Sequence, residues 1–68
     1  MNTIRLNGEQ RSVDATTLVE LLRAESVDPD GRFVAVAVNG AVVPRSRWAN
    51  AAVQDGDDIE IVAPAPGG

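Results

Sequence analysis

The 68-residue sequence contains no cysteine, histidine, lysine or tyrosine. Without cysteine, the chain has no disulfide and no thiolate ligand for a metal. The four missing residue types are also common general acids, general bases and nucleophiles, so nothing activates the three serines. We therefore expect that the chain is not an enzyme and that a partner supplies any catalyst. The serines are Ser12, Ser26 and Ser46.

Other absences limit the setting in which the protein acts. No apolar run approaches the roughly 20 residues that span a bilayer, and the opening MNTIRLNGEQ lacks the apolar stretch of a signal peptide. The net charge is −4, and the six basic residues are arginines spread along the chain, which argues against a nucleic-acid-binding face. We predict a cytoplasmic protein, monomeric when free, with neither a membrane nor a nucleic acid as its partner.

The acidic residues gather in the segment DGDDIE, at Asp55, Asp57, Asp58 and Glu60. Alternate residues of a strand point to opposite faces, so these carboxylates are not expected to converge on one ion. We interpret the segment as a solvated turn followed by a strand edge, with no metal site and no bound cofactor.

Local patterns predict the elements of one small domain. Asn7-Gly8 is a strong hairpin signal between two short strands, and Asn39-Gly40 is a second. Thr17 and Glu20 have the spacing of a capping box, which predicts a helix over residues 16–25. The helix presents one apolar stripe at Leu18, Leu21 and Leu22.

Alternation along the later strands predicts which side chains face the helix. In RFVAVAVNG we expect the larger valines to fill the core, and in DIEIVA we expect the isoleucines to do so. We expect Trp48 to close one end of the core and Gly56 to adopt a positive φ in the DGD turn. The inward residues are Val34, Val36, Val38, Ile59 and Ile61; the outward ones are Phe33, Ala35, Ala37, Glu60 and Val62.

The first and last strands each carry two large inward apolar residues, so they are expected to pair in parallel in the middle of the sheet. The predicted fold class is α+β, a mixed sheet of four to five strands packed on one helix, over residues 1–63. Ala35, Ala37 and Val62 then form an apolar patch on the open face, which predicts a partner-binding surface.

Residues 64–68 are expected to form a flexible tail leaving the centre of the sheet. Five extended residues reach about 15 Å beyond Ala63. Prolines fix φ and lower the entropy lost when a partner grips the tail, and Pro66 is expected to help thread it. Gly67 and Gly68 carry no Cβ, so the backbone fits a narrow slot. We predict that the reactive group is the α-carboxylate of Gly68, activated as an acyl-adenylate.

The segments VAVNG, VVPRSRW and VQDGDDIEIV, followed by the closing GG, resemble the ThiS family of ubiquitin-like sulfur carriers of thiamine biosynthesis. The hairpin and the TLVELL helix match that family in layout, so the resemblance covers essentially the whole chain. It implies a ubiquitin-like β-grasp fold. Pro44, Arg45 and Trp48 match the family motif, with a structural or partner-facing role.

The resemblance implies a partner of the ThiF type that adenylates the carboxylate of Gly68 with ATP. A cysteine desulfurase relay then supplies sulfur to form a thiocarboxylate, and thiazole synthase uses that sulfur to build the thiazole ring of thiamine. ATP is thus used by the partner and is not bound by this chain.

Three alternatives remain open at this point. The prolines of APAPGG resemble the tail of the molybdopterin synthase small subunit, a sulfur carrier of the same fold. A β-grasp binding module without sulfur chemistry is a second alternative, although the acidic balance speaks against an RNA-associated domain. An enzyme in its own right is the third, and it lacks the usual catalytic groups.

Overall fold

The computed structural model describes residues 1–64, which form a mixed five-stranded sheet, one α-helix and a 3₁₀ turn. This arrangement confirms the expected architecture. Within the described part of the chain, no helix combines the length and the apolar character that crossing a bilayer requires. In chain order the elements are β1 (Asn2–Leu6), β2 (Glu9–Val13), α1 (Leu18–Ala24), β3 (Ala35–Val38), β4 (Ala41–Val43), the 3₁₀ turn (Arg45–Arg47) and β5 (Asp58–Val62).

The sheet has the strand order β2-β1-β5-β3-β4, so the last strand lies at its centre. As predicted, β5 runs parallel to β1, with Leu6 opposite Ile59. On its other side β5 runs antiparallel to β3, with Val36 opposite Ile61. The chain therefore leaves the middle of the sheet after Val62.

Both predicted hairpin turns are present. Asn7 and Gly8 have φ values of 49° and 85°, and Asn39 and Gly40 have 52° and 84°. Positive φ at both central residues is the requirement of a type I′ turn, whose twist matches that of the flanking strands. Gly56 also has the expected positive φ, at 86°.

Helix α1 begins after Thr17, whose Oγ1 accepts from the backbone N–H of Glu20 at 3.2 Å. The Glu20 carboxylate reaches back to Thr16, accepting from its N–H at 3.1 Å and from its hydroxyl at 3.0 Å. The Thr17 half of the predicted capping box is therefore present, whereas the Glu20 carboxylate binds Thr16, one residue before the N-cap. The contact to Thr17 satisfies the N–H of Glu20, one of the donors that the first helical turn leaves unpaired.

The core lies between α1 and one face of the sheet. The three helix leucines are at most 1% exposed, and Trp48 is 2% exposed, so the predicted stripe and the predicted core plug are confirmed. The Trp48 Nε1 donates to the carbonyl of Val43 at 2.8 Å, which satisfies the buried indole N–H. The buried apolar residues are Ile4, Leu6, Ala15, Leu18, Leu21, Leu22, Val36, Trp48, Val53 and Ile59.

Two expectations about individual residues are wrong. Phe33 does not belong to β3, which begins at Ala35; it has φ of 63° and is 82% exposed. Asp57 is not a solvated turn residue but is 8% exposed. In both cases tertiary contacts decide the outcome: the loop before β3 is held by a distant arginine, and the Asp57 carboxylate binds donors from a neighbouring turn, as described below.

Candidate functional site at the base of the tail

The end of β5 is the structural base from which the predicted tail departs. Ala63 and Pro64 follow the strand and are the last residues that the structure describes. The predicted tail residues Pro66, Gly67 and Gly68 lie outside the described residues, as does the reactive carboxylate. The site is therefore characterised by the surfaces that surround Pro64.

Asn7 anchors this end of β5 with its side chain. Its Oδ1 accepts from the backbone N–H of Ile61 at 2.8 Å, and its Nδ2 donates to the carbonyl of Ile61 at 3.2 Å. The backbone N–H of Asn7 also donates to the carbonyl of Ile59 at 2.9 Å. The amide thus continues the ladder between β1 and β5 after β1 has ended. The hairpin signal accounts for the φ of Asn7, but nothing in the sequence indicated this second role.

The open face of the sheet carries the residues predicted to contact partners. Ala35 pairs with Val62 across β3 and β5, and both are exposed, Val62 by 64%. Ala37 is half-buried and pairs with Val42 on β4, which is 78% exposed. The structure therefore brings the three predicted residues together and adds Val42, whose three-residue strand is too short to show an alternation in the sequence. We call these four residues the open-face patch.

An acidic strip borders the open-face patch. Asp58 and Glu60 alternate with the inward isoleucines of β5, so they share the open face with Val62. Both are exposed. A surface complementary to this region is expected to combine apolar side chains with basic ones.

A groove of about 690 Å³ lies on the other side of the β5 end. Its apolar wall includes residues of β1, of β5 and of the loop between α1 and β3, and its rim includes Glu25, Asp28 and Arg32. Because Ala63 and Pro64 line it, the groove is continuous with the start of the tail. We call it the tail-base groove and define its apolar wall as Leu6, Val27, Phe33, Val34, Ile61, Ala63 and Pro64.

Arg45, part of the segment VPRSRW, holds the loop that forms one side of this groove. Its guanidinium donates to the carbonyls of Pro29 and Gly31, and it lies 4.8 Å from the centre of the Trp48 ring. Stacking on an aromatic face and forked donation are properties that lysine does not reproduce. The contacts of Arg45 within this chain are thus structural, and they connect the 3₁₀ turn to the loop before β3.

The acidic segment forms a hydrogen-bonded turn. Asp57 Oδ1 accepts from Asn39 Nδ2 at 3.0 Å, and its Oδ2 accepts from the N–H of Gln54 at 2.9 Å. Asp55 Oδ1 accepts from the N–H of Thr3 at 2.7 Å. Within residues 1–64, no group of three or more histidine, cysteine, aspartate or glutamate side chains could hold a metal ion. The carboxylates of this segment connect turns of the fold.

Comparison with known proteins identifies relatives that match most of the chain. The model of the ThiS family matches residues 4–68. A protein of Escherichia coli named sulfur carrier protein ThiS is 42% identical over 52 residues, which is 76% of each chain. The crystal structure of a thiamine biosynthesis protein (ThiS) from Geobacter metallireducens has a TM-score of 0.78 and 32% identity, covering 97% of this chain and 99% of that one.

A longer relative is also similar. A protein of Paramagnetospirillum magneticum named thiazole synthase is 48% identical over 63 residues, which is 93% of this chain but 19% of that protein. The chain thus spans about a fifth of the length of this relative. The ubiquitin-like β-grasp fold that the sequence resemblance implies is confirmed by the solved relatives and by the five-stranded sheet on one helix.

Proposed function

Because the chain belongs to the ThiS family, we propose that it is a sulfur carrier of thiamine biosynthesis and acts through the carboxylate of Gly68. The observation that carries the proposal is the family match, which runs to the final Gly-Gly. The chain itself supplies the carboxylate, a fixed base for the tail at the end of β5 and a docking surface, and its partner supplies the catalysis. It is therefore not an enzyme.

The proposed chemistry has two balanced steps. A carboxylate oxygen of Gly68 attacks the α-phosphorus of ATP, pyrophosphate leaves, and an acyl-adenylate forms on a ThiF-type enzyme. A sulfur nucleophile then attacks the acyl carbon and displaces AMP. With bisulfide as the nucleophile, a C–S bond replaces a C–O bond without a change of oxidation state, and the product is a thiocarboxylate. In the cell, a cysteine desulfurase relay provides the sulfur as a persulfide; its attack displaces AMP and gives an acyl disulfide, which a thiol reductant cleaves to the thiocarboxylate.

Geometry at the base of the tail supports this role. The central position of β5, with partners on both sides, fixes where the tail begins, and the Asn7 amide fixes Ile61. Since a small displacement of a reacting atom removes much of the rate advantage of a bound substrate, a rigid base is what a carrier needs. The open-face patch is the proposed docking surface for the adenylating enzyme and for the acceptor of the sulfur.

Thiazole synthase is the proposed acceptor. The relative that bears this name contains a region 48% identical to this chain within a much longer protein. A region similar to this chain within a protein named thiazole synthase supports an interaction between the carrier and a separate thiazole synthase. The same relative and the E. coli sulfur carrier favour thiamine over the molybdopterin pathway.

The test uses the purified protein, the adenylating enzyme encoded in the same genome, ATP and sodium sulfide. Intact-mass spectrometry first checks that the chain ends in a free carboxylate at Gly68. After incubation, the mass should rise by the replacement of one oxygen by one sulfur, confined to the C-terminal peptide, with pyrophosphate released in step.

Variants of tail length provide the decisive comparison. Deleting Gly68, or adding one glycine after it, should abolish loading while leaving the fold unchanged. Ala65→Ser keeps the tail length and is the matched control, which should load like the parent protein. Equal loading of the extended chain, or no mass change with a competent enzyme, would refute the carrier function.

A further inference from the structure

The tail-base groove contains one large apolar residue that is exposed and has an unfavourable backbone conformation. Phe33 is 82% exposed, so it buries little apolar surface. Its φ of 63° is rare for residues other than glycine and is an outlier for a bulky one. An exposed aromatic residue in a strained conformation adds nothing to the stability of the monomer. Such strain concentrates at binding and switch regions.

The loop that precedes Phe33 is held in place by hydrogen bonds. Arg45 binds the carbonyls of Pro29 and Gly31, and the N–H of Gly31 donates to the carbonyl of Asp28 at 2.9 Å. Opposite the loop, Ile61 and Ala63 line the groove from the end of β5. The groove is therefore formed between a pinned loop and the strand that leads into the tail.

The length of chain beyond the groove limits what can occupy it. On the proposed function, the atom that reacts is the carboxyl carbon of Gly68, four residues after Pro64. A residue spans at most about 3.5 Å, so this carbon lies within roughly 14 Å of Pro64. An enzyme that encloses the carboxylate together with ATP therefore comes close to Pro64, and its surface faces the residues around Pro64. That surface is the open-face patch on one side and the tail-base groove on the other.

We propose that the tail-base groove is a second docking site for the adenylating enzyme, which inserts an apolar side chain against Phe33. The proposal rests on the proposed function and deepens it. The enzyme grips the base of the tail from both sides of the sheet: Val62 faces it on the open side, and Phe33 faces it across the groove. The contact contributes to binding of the carrier and takes no part in the chemistry.

Phe33→Asn separates binding from stability. Asparagine tolerates positive φ better than phenylalanine, so the urea midpoint should stay unchanged or rise. The loss of the aromatic contact should raise the KM for the carrier in ATP–pyrophosphate exchange at least tenfold and leave kcat within twofold of the parent value. Phe33→Leu is the matched control, because it keeps an apolar side chain at the same strained φ; its KM should rise less than that of Phe33→Asn.

The outcomes distinguish this inference from the proposed function. If the parent protein supports no exchange, the carrier function itself fails. If the parent is adenylated and Phe33→Asn shows the parent KM, or a reduced kcat with an unchanged KM, the groove is not a docking site although the carrier function stands.

Amide chemical shifts of the carrier test which molecule or segment occupies the tail-base groove. The shifts of Val27, Val34 and Ala63 should move when the adenylating enzyme is added. They should not move when the carrier alone is diluted; a shift on dilution would indicate that a second copy of the chain occupies the groove and would overturn the proposal. Equally, deletion of residues 65–68 should leave Val27 and Val34 unshifted; a shift would indicate that the chain's own tail fills the groove and would overturn the proposal.

Discussion

The replacement Val36→Ala tests which face of the sheet forms the core, and hence which face remains free for partners. Val36 is 1% exposed at the middle of β3. The change removes two carbons, worth about 1.6 kcal/mol at roughly 0.8 kcal/mol per buried methylene. A partly collapsed cavity adds up to about 1 kcal/mol. We therefore expect the free energy of unfolding to fall by about 1.5–2.5 kcal/mol.

Urea unfolding followed by the fluorescence of buried Trp48 measures this loss. A domain of 68 residues has a total stability of roughly 3–10 kcal/mol, so the effect is a large fraction of it. With a urea slope of about 1 kcal/mol per molar, the midpoint should fall by about 2 M.

Val42→Ala is the matched control, because it makes the same deletion on the neighbouring strand at a side chain that is 78% exposed. Its unfolding free energy should change by less than about 0.5 kcal/mol. Ala35→Val, which adds the same atoms on the open face, should also cost little. If either surface variant is destabilised as much as Val36→Ala, the assignment of the two faces is wrong.

Two further predictions concern the open face and the acidic turn. Val62→Asp should weaken binding of the adenylating enzyme by at least about tenfold in titration calorimetry, the equivalent of about 1.4 kcal/mol. Val62→Thr keeps the β-branched shape and should bind more tightly than the aspartate variant. If Val62→Asp binds with the affinity of the parent protein, the docking surface lies elsewhere. Asp57→Ala removes the acceptor for Asn39 and Gln54 and should lower the free energy of unfolding in urea by about 2–3 kcal/mol. Asp58→Ala, at an exposed side chain, should leave the free energy of unfolding unchanged. If the two variants are equally stable, the hydrogen bonds of Asp57 are dispensable.

Features encoded within a few residues could be predicted from the sequence. The Asn-Gly pairs specify positive φ at two adjacent positions, which only a few turn types accommodate. Thr17 and Glu20 specify the start of the helix because a capping contact closes within one turn. The parallel pairing of β1 with β5 also followed from pattern, since each strand offers two large inward residues that need cover on the helix side. The chemical role proposed for Gly68 likewise depends on the lack of the usual catalytic side chains and on the short Gly-Gly motif.

Contacts between residues distant in the chain were decided only by the tertiary structure. The second role of Asn7 depends on Ile61 arriving beside it, 54 residues later, and the burial of Asp57 depends on Asn39. Phe33 fits an alternating strand pattern, yet Arg45 fixes the loop before it, so the strand begins two residues later. A local sequence pattern reflects only the backbone conformation that each segment prefers by itself. The tail-base groove is absent from that pattern because its walls come from three distant segments, β1, the loop between α1 and β3, and the end of β5, which meet only when β5 inserts between β1 and β3.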